Sequence, residues 1–141
     1  MMTASADMLQ PVIALVAWTA VMWFWMYATR IPAMQKAGIN PSKMKAKSEM
    51  DVLPNEVKRI ADNFNHLHEQ PTVFFALVIY CHLAGAADGL NIALAWTYVG
   101  LRISHSLVQA LWNFIPVRFF IFAASTVVMM VIGVRAALAL G

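Results

Sequence analysis

Charge is scarce in this chain. Charged residues fill 12% of its 141 positions and hydrophobic residues 61%, whereas a soluble domain is roughly a quarter charged and half apolar. That imbalance excludes an ordinary soluble domain and places the chain among membrane proteins. There is one cysteine, Cys81, so no intrachain disulfide can form; its setting in an apolar run suits packing better than reactivity. Carboxylates and cysteines do not cluster at metal-ligand spacings, and His66 and His68, two apart, fall on nearly opposite faces of a helix, so no metal is expected. No Gly-rich phosphate loop, no nucleophile beside a base, no repeat and no second domain is visible. Net charge is +3, without the basic tail that binds nucleic acid. The first ten residues contain Asp7 and no Lys or Arg. They lack the positive start of a secretory signal, so the first apolar segment is expected to remain as a span.

What is present is four apolar stretches separated by polar punctuation. A spanning helix needs about 20 apolar residues. Spans are expected at about 11–29, 58–87, 90–112 and 118–140, in a single domain covering 1–141. Trp18, Trp23, Trp25 and Tyr27 thicken toward the end of the first, as at a membrane interface, and Arg30 then Pro32 close it. The loop at about 30–57 carries turn and helix-start signals at Asn40-Pro41-Ser42 and Leu53-Pro54-Asn55. Arg30, Lys36, Lys43, Lys45, Lys47, Lys58 and Arg59 gather here, leaving only Arg102, Arg118 and Arg135 elsewhere. The positive-inside rule puts this loop, and the short connection between spans three and four, in the cytoplasm. With no organelle signal, a bacterial inner membrane is the expected location.

The second span begins with a polar run, Lys58 to Pro71, that passes without interruption into Thr72-Val-Phe-Phe-Ala-Leu-Val-Ile-Tyr. On one continuous helix kinked at Pro71, Arg59, Asp62, Asn65, His66 and Glu69 share an arc of roughly 120°. Hydrocarbon cannot solvate such a face. Either it is a wet helix end above the membrane, or it lines a polar pocket between helices. In span three Arg102, His105 and Gln109 share a face by their spacing of three and four. A charge inside a span costs at least about 2.5–3.5 kcal/mol, so Arg102 is expected to turn into the bundle and find a partner. Together with Arg30 and Arg118 these groups form a belt at the inner ends of the helices. It suits an anionic, amide-rich ligand; interhelical glue is the competing explanation.

Two stretches resemble the superfamily of membrane-associated proteins in eicosanoid and glutathione metabolism, a group that includes microsomal glutathione transferases and prostaglandin E synthase. One runs from Glu56 to Pro71. The other starts at Arg102-Ile-Ser-His105-Ser106 and continues through Val117-Arg118. The resemblance implies an all-α bundle of four transmembrane helices that assembles as a homotrimer. It implies glutathione as cosubstrate, a lipophilic small molecule or lipid as the second partner, and a detoxifying transferase or peroxidase activity. Carried over residue by residue, Arg118 matches the arginine that stabilises the glutathione thiolate. Arg30, Arg59, Asn65, His66, Glu69, His105 and Gln109 are expected to bind glutathione, and Arg102 to be an interior structural charge. The chain also departs from that pattern. Asp62 stands where the enzymes have an arginine, His66 where they have asparagine, Gln109 and Phe122 where they have tyrosines, and Phe119 where prostaglandin E synthase has serine. Loss of these hydroxyls argues against prostaglandin isomerase chemistry. A non-catalytic lipid-binding member, and a small transporter or structural subunit, are the alternative readings.

Overall fold

The computed structural model describes residues 7–139. Part of the stretch read above for a secretory signal, and the last residue of the fourth expected span, lie outside them. The described residues are helical, with no strand. Five α-helices follow one another: α1 (Gln10–Lys36), α2 (Asn55–His66), α3 (Gln70–Leu83), α4 (Gly89–Leu107) and α5 (Ile115–Leu138). Two short 3-10 turns, Pro41–Lys43 and Lys47–Met50, shape the first loop, and a π-helical turn, Val108–Trp112, extends α4. α4 packs chiefly on α5, and α1 chiefly on α2 and then on α4.

Among the described residues, only α1 and α5 are both long and apolar enough to cross a membrane. Their outward residues, such as Ile13, Phe24, Phe120, Met130 and Val134, are exposed in the isolated chain, as a lipid-facing surface requires. α3 has 14 residues, about 21 Å at 1.5 Å per residue, and α4 carries Arg102 in its interior. The buried core is built from one stripe of each helix: Leu15 and Met22 of α1, Ile60 of α2, Phe74 and Val78 of α3, Tyr98 of α4 and Ile132 of α5. Phe74 stacks on Tyr98 with ring centroids 4.1 Å apart.

Two expectations are corrected here. The polar run does not pass unbroken into the apolar one: the chain leaves helical form after His66 and re-enters it at Gln70. Pro71 is therefore not a kink but a start. It sits in the first turn of α3, where the missing N–H has no helical partner to lose. In addition, α1 does not stop at Arg30. Pro32 lies inside it, and the helix runs on to Lys36. It ends at Gly38, whose φ of 67° suits glycine; the Ile39 N–H reaches back to the Met34 carbonyl, a Schellman closure.

The loop signals hold. The Asn40 side chain accepts from the Ser42 N–H at 3.0 Å, and α2 starts at Asn55 behind Pro54. A polar node that hydrophobic periodicity does not reveal ties the bundle at mid-height. Tyr98 donates to Gln70 Oε1 at 3.1 Å, and Gln70 Nε2 donates to Thr126 at 2.7 Å. This single amide joins α3, α4 and α5, the kind of contact that holds helices together where water is absent.

Candidate functional site

The break between α2 and α3 creates the site. A helix that ends leaves its last carbonyls without partners. The guanidinium of Arg102, 1% exposed, reaches the His66 carbonyl at 3.3 Å. A partly buried cation at a helix C-terminus contributes up to about 2 kcal/mol. Arg102 is thus turned inward as expected. The expected partner is not a carboxylate, however: among the described residues Arg102 forms no ion pair. Its other neighbour is the Phe122 ring, 5.6 Å from the guanidinium carbon, a cation–π distance. Around it lie further buried polar groups: Asn63, His105, Ser106 and Gln109.

Above this layer opens a polar cavity of about 250 Å³. Arg59, Asp62, Asn65, His66 and Glu69 line it from α2 and the break, Gln109 and Asn113 from the end of α4, and Arg118 from α5. The two guanidiniums are held at one end only. Arg59 Nη2 donates to the Leu111 carbonyl at 3.0 Å, and Arg118 Nη1 donates to Asn113 Oδ1 at 2.5 Å. The Nε of each is buried and without a hydrogen-bond partner, as is Gln109 Oε1. Buried polar groups in folded proteins are rarely left so, and several unpaired groups around one cavity mark a place for a polar ligand.

Backbone geometry explains why these groups converge. The π-helical turn closes with the Asn113 N–H on the Val108 carbonyl at 2.5 Å. Turns of this kind recur at functional sites. The extra residue swings Gln109 and Asn113 to the cavity side. Asn113 itself is left-handed, at φ 56° and ψ 35°, a conformation asparagine tolerates better than most residues. Helical spacing does not point to Asn113, which lies just beyond the third expected span. The legible signal was an asparagine just before Phe114-Ile115-Pro116.

A second cavity of about 450 Å³ adjoins the first. His66, His105, Ile115, Arg118, Phe119 and Phe122 line it. Its walls are mostly hydrocarbon, and it shares His66 and Arg118 with the polar cavity. His66 is fixed between them. Its Nδ1 lies 3.0 Å from Glu69 Oε2, and its ring centroid is 6.3 Å from that of His105.

Of the expected glutathione-binding residues, the structure brings Arg59, Asn65, His66, Glu69 and Gln109 together with Arg118. His105 faces the apolar cavity instead. Arg30 is not brought to either. It lines a third cavity of about 210 Å³ on the α1 side of α2, which has Asp62 and Asn65 in common with the polar one. There it contacts the sulfur of Met50 at 2.8 Å and that of Met26 at 3.9 Å.

A bundle with apolar outer faces, and a polar cavity beside an apolar one at its helix ends, is the architecture of an integral membrane protein. The MAPEG family model matches residues 8–138. The chain belongs to that family, whose members work in the membrane on glutathione or eicosanoid metabolism. No curated protein and no solved structure matches the chain.

Proposed function

We propose that the protein is a glutathione-dependent transferase or peroxidase of the membrane, with Arg118 stabilising the glutathione thiolate for attack on a lipophilic electrophile or hydroperoxide. One observation carries this reading: Arg118 and Glu69 line the same polar cavity, and Arg118 also lines the apolar one. A thiolate beside that guanidinium stands at the boundary between a charged cosubstrate and a greasy one. The tripeptide's amino end is assigned to Glu69, and its carboxylates to Arg59 and the nearby amides of Asn65 and Gln109. Asn113 holds Arg118 in position.

The magnitudes are sufficient. A thiol of ordinary pKa about 8.5 must drop by about two units to be largely ionised at neutral pH, which needs about 2.7 kcal/mol. A guanidinium about 4 Å away at an effective dielectric near 20 supplies about 4 kcal/mol before desolvation losses. One arginine is enough.

In this reading α2 with α3, and α4, complete a four-helix crossing. The loop at 30–57 lies in the cytoplasm of a bacterial cell, and three copies assemble with the exposed stripes of α1 and α5 against lipid or one another. Calorimetry with glutathione on the detergent-solubilised protein, combined with turnover of 1-chloro-2,4-dinitrobenzene, tests the activity. Heat of binding with turnover is expected; neither would leave only the membrane scaffold. A second reading, a non-catalytic lipid-binding member, draws on Asp62, whose carboxylate enters the polar cavity beside Glu69 and opposes the carboxylates of a tripeptide. Thermal stabilisation by glutathione without turnover supports that reading.

A further inference from the structure

We propose that His66 is the proton donor of a hydroperoxide reduction at this site. The inference rests on the thiolate reading above and deepens it. Conjugation to a carbon electrophile with a halide leaving group needs only a thiolate. Hydroperoxide reduction needs a proton as well, because the group expelled is an alkoxide, a strong base. The structure has a group placed for that task. His66 is the histidine that lines both cavities, as Arg118 does, so it stands where a thiolate from one side meets an apolar molecule from the other. Its Nδ1 is engaged by Glu69 at 3.0 Å. That carboxylate accepts the Nδ1 proton and fixes the ring, leaving Nε2–H as the proton to give. His105 faces the apolar cavity alone, is 4% exposed, and has no partner on Nδ1, so no carboxylate orients its ring. Ile115, Phe119 and Phe122 offer hydrocarbon for the organic part of the peroxide.

The step balances as follows. The glutathione thiolate attacks the terminal oxygen of ROOH; a sulfur–oxygen bond forms and the oxygen–oxygen bond breaks. Sulfur is oxidised to a sulfenic acid, the peroxide is reduced, and the departing alkoxide takes the His66 proton and leaves as the alcohol. A second glutathione thiol then condenses with the sulfenic acid, giving the disulfide and water. The proton released when the first thiol ionises restores His66.

The test uses the purified full chain in detergent, glutathione, and two peroxides. Cumene hydroperoxide expels an alkoxide; perbenzoic acid expels a carboxylate that needs no proton. In His66→Gln the kcat with cumene hydroperoxide should fall about 100-fold relative to the kcat with perbenzoic acid. A variant that misfolds or binds glutathione poorly loses both together, so an equal loss, or none, overturns the proposal. Wild type that conjugates 1-chloro-2,4-dinitrobenzene but reduces neither peroxide overturns it while leaving the transferase reading intact. Wild type inert toward all three substrates removes both.

Discussion

The two ends of α5 each carry an arginine, and the two are treated in opposite ways. Arg135, near the C-terminal end, is engaged through both its Nε and one Nη. Its Nε donates to Asn91 Oδ1 at 2.7 Å and its Nη2 to Asp88 Oδ2 at 2.6 Å. Asn91 passes the chain on, donating to the Ala86 carbonyl at 2.8 Å, while its N–H caps onto Asp88 Oδ1 at 2.8 Å. Both Asp88 carboxylate oxygens and both ends of the Asn91 amide have protein partners in this clamp, and it fastens the α3–α4 turn to α5. Arg118, at the other end, is anchored by Asn113 alone and keeps a buried Nε unpartnered beside a cavity. One end is closed chemistry that holds the fold; the other is open chemistry that awaits a ligand. The same side chain on the same helix thus has two uses, separated by whether its hydrogen bonds are already made.

The contrast breaks first at Arg118. Arg118→Ala should lower kcat/KM for conjugation at least about 100-fold, the usual cost of removing one preorganised group from a developing or stabilised anion. Its melting temperature should change little. The ultraviolet thiolate band on adding glutathione reads this directly; a band of wild-type strength in the variant would remove Arg118 from its role. The mirror variant is Arg135→Ala. It leaves the Oδ1 of buried Asn91 without its donor and should cost about 1–3 kcal/mol of stability. The thermal shift produced by saturating glutathione should stay as in wild type. If Arg135→Ala also abolished glutathione binding, the two ends would not be separable.

Asn113 sharpens the comparison because it has two roles that different substitutions separate. Glycine accepts its left-handed backbone but removes the amide that holds Arg118. Alanine removes the amide and adds strain of about 1 kcal/mol at positive φ. Activity should fall in both, by a similar and smaller factor than in Arg118→Ala, whereas the melting temperature should fall only in Asn113→Ala. Equal stabilities in the two variants would mean that the left-handed turn is not held as described.

How much of this could be read beforehand depends on which force set each feature. Burial in lipid is a bulk effect, so composition alone identified a helical membrane protein, and the inward turn of Arg102 followed from the cost of charge in hydrocarbon. The helix break at 67–69 was not legible. Periodicity carries the polar arc straight through Pro71 and makes it a kink; local backbone satisfaction, with Arg102 on the freed His66 carbonyl, decides otherwise. Even so, the polar arc still converges, because Arg59, Asp62, Asn65 and His66 all precede the break. The clamp at Asp88, Asn91 and Arg135 joins residues 44 and 47 apart in sequence, and no local pattern announces it. Gln70, an unremarked amide before a proline, proved to be the link between three helices. The split of the belt into three cavities, which separates Arg30 from Arg118, also lay in tertiary packing alone.

The smallest effect is a pH dependence confined to the closed end. The Asn91 N–H, and then Arg135, hold the Asp88 carboxyl below its ordinary value of 3.8. A carboxyl with a depressed folded value binds its proton less readily than in the unfolded chain. Its contribution is therefore complete above the unfolded value and is lost as pH falls through the folded one. Wild type should accordingly lose thermal stability more steeply below about pH 4 than Asp88→Asn does, and the two should run parallel between pH 5 and pH 7. Asp88 is solvent-exposed, so the difference should be a few degrees at most and should shrink in high salt. Parallel melting curves down to pH 3 would show that the carboxylate adds nothing to the clamp. Arg135 would then be held by the Asn91 amide alone, and each end of α5 would keep one guanidinium hydrogen bond to a neutral amide.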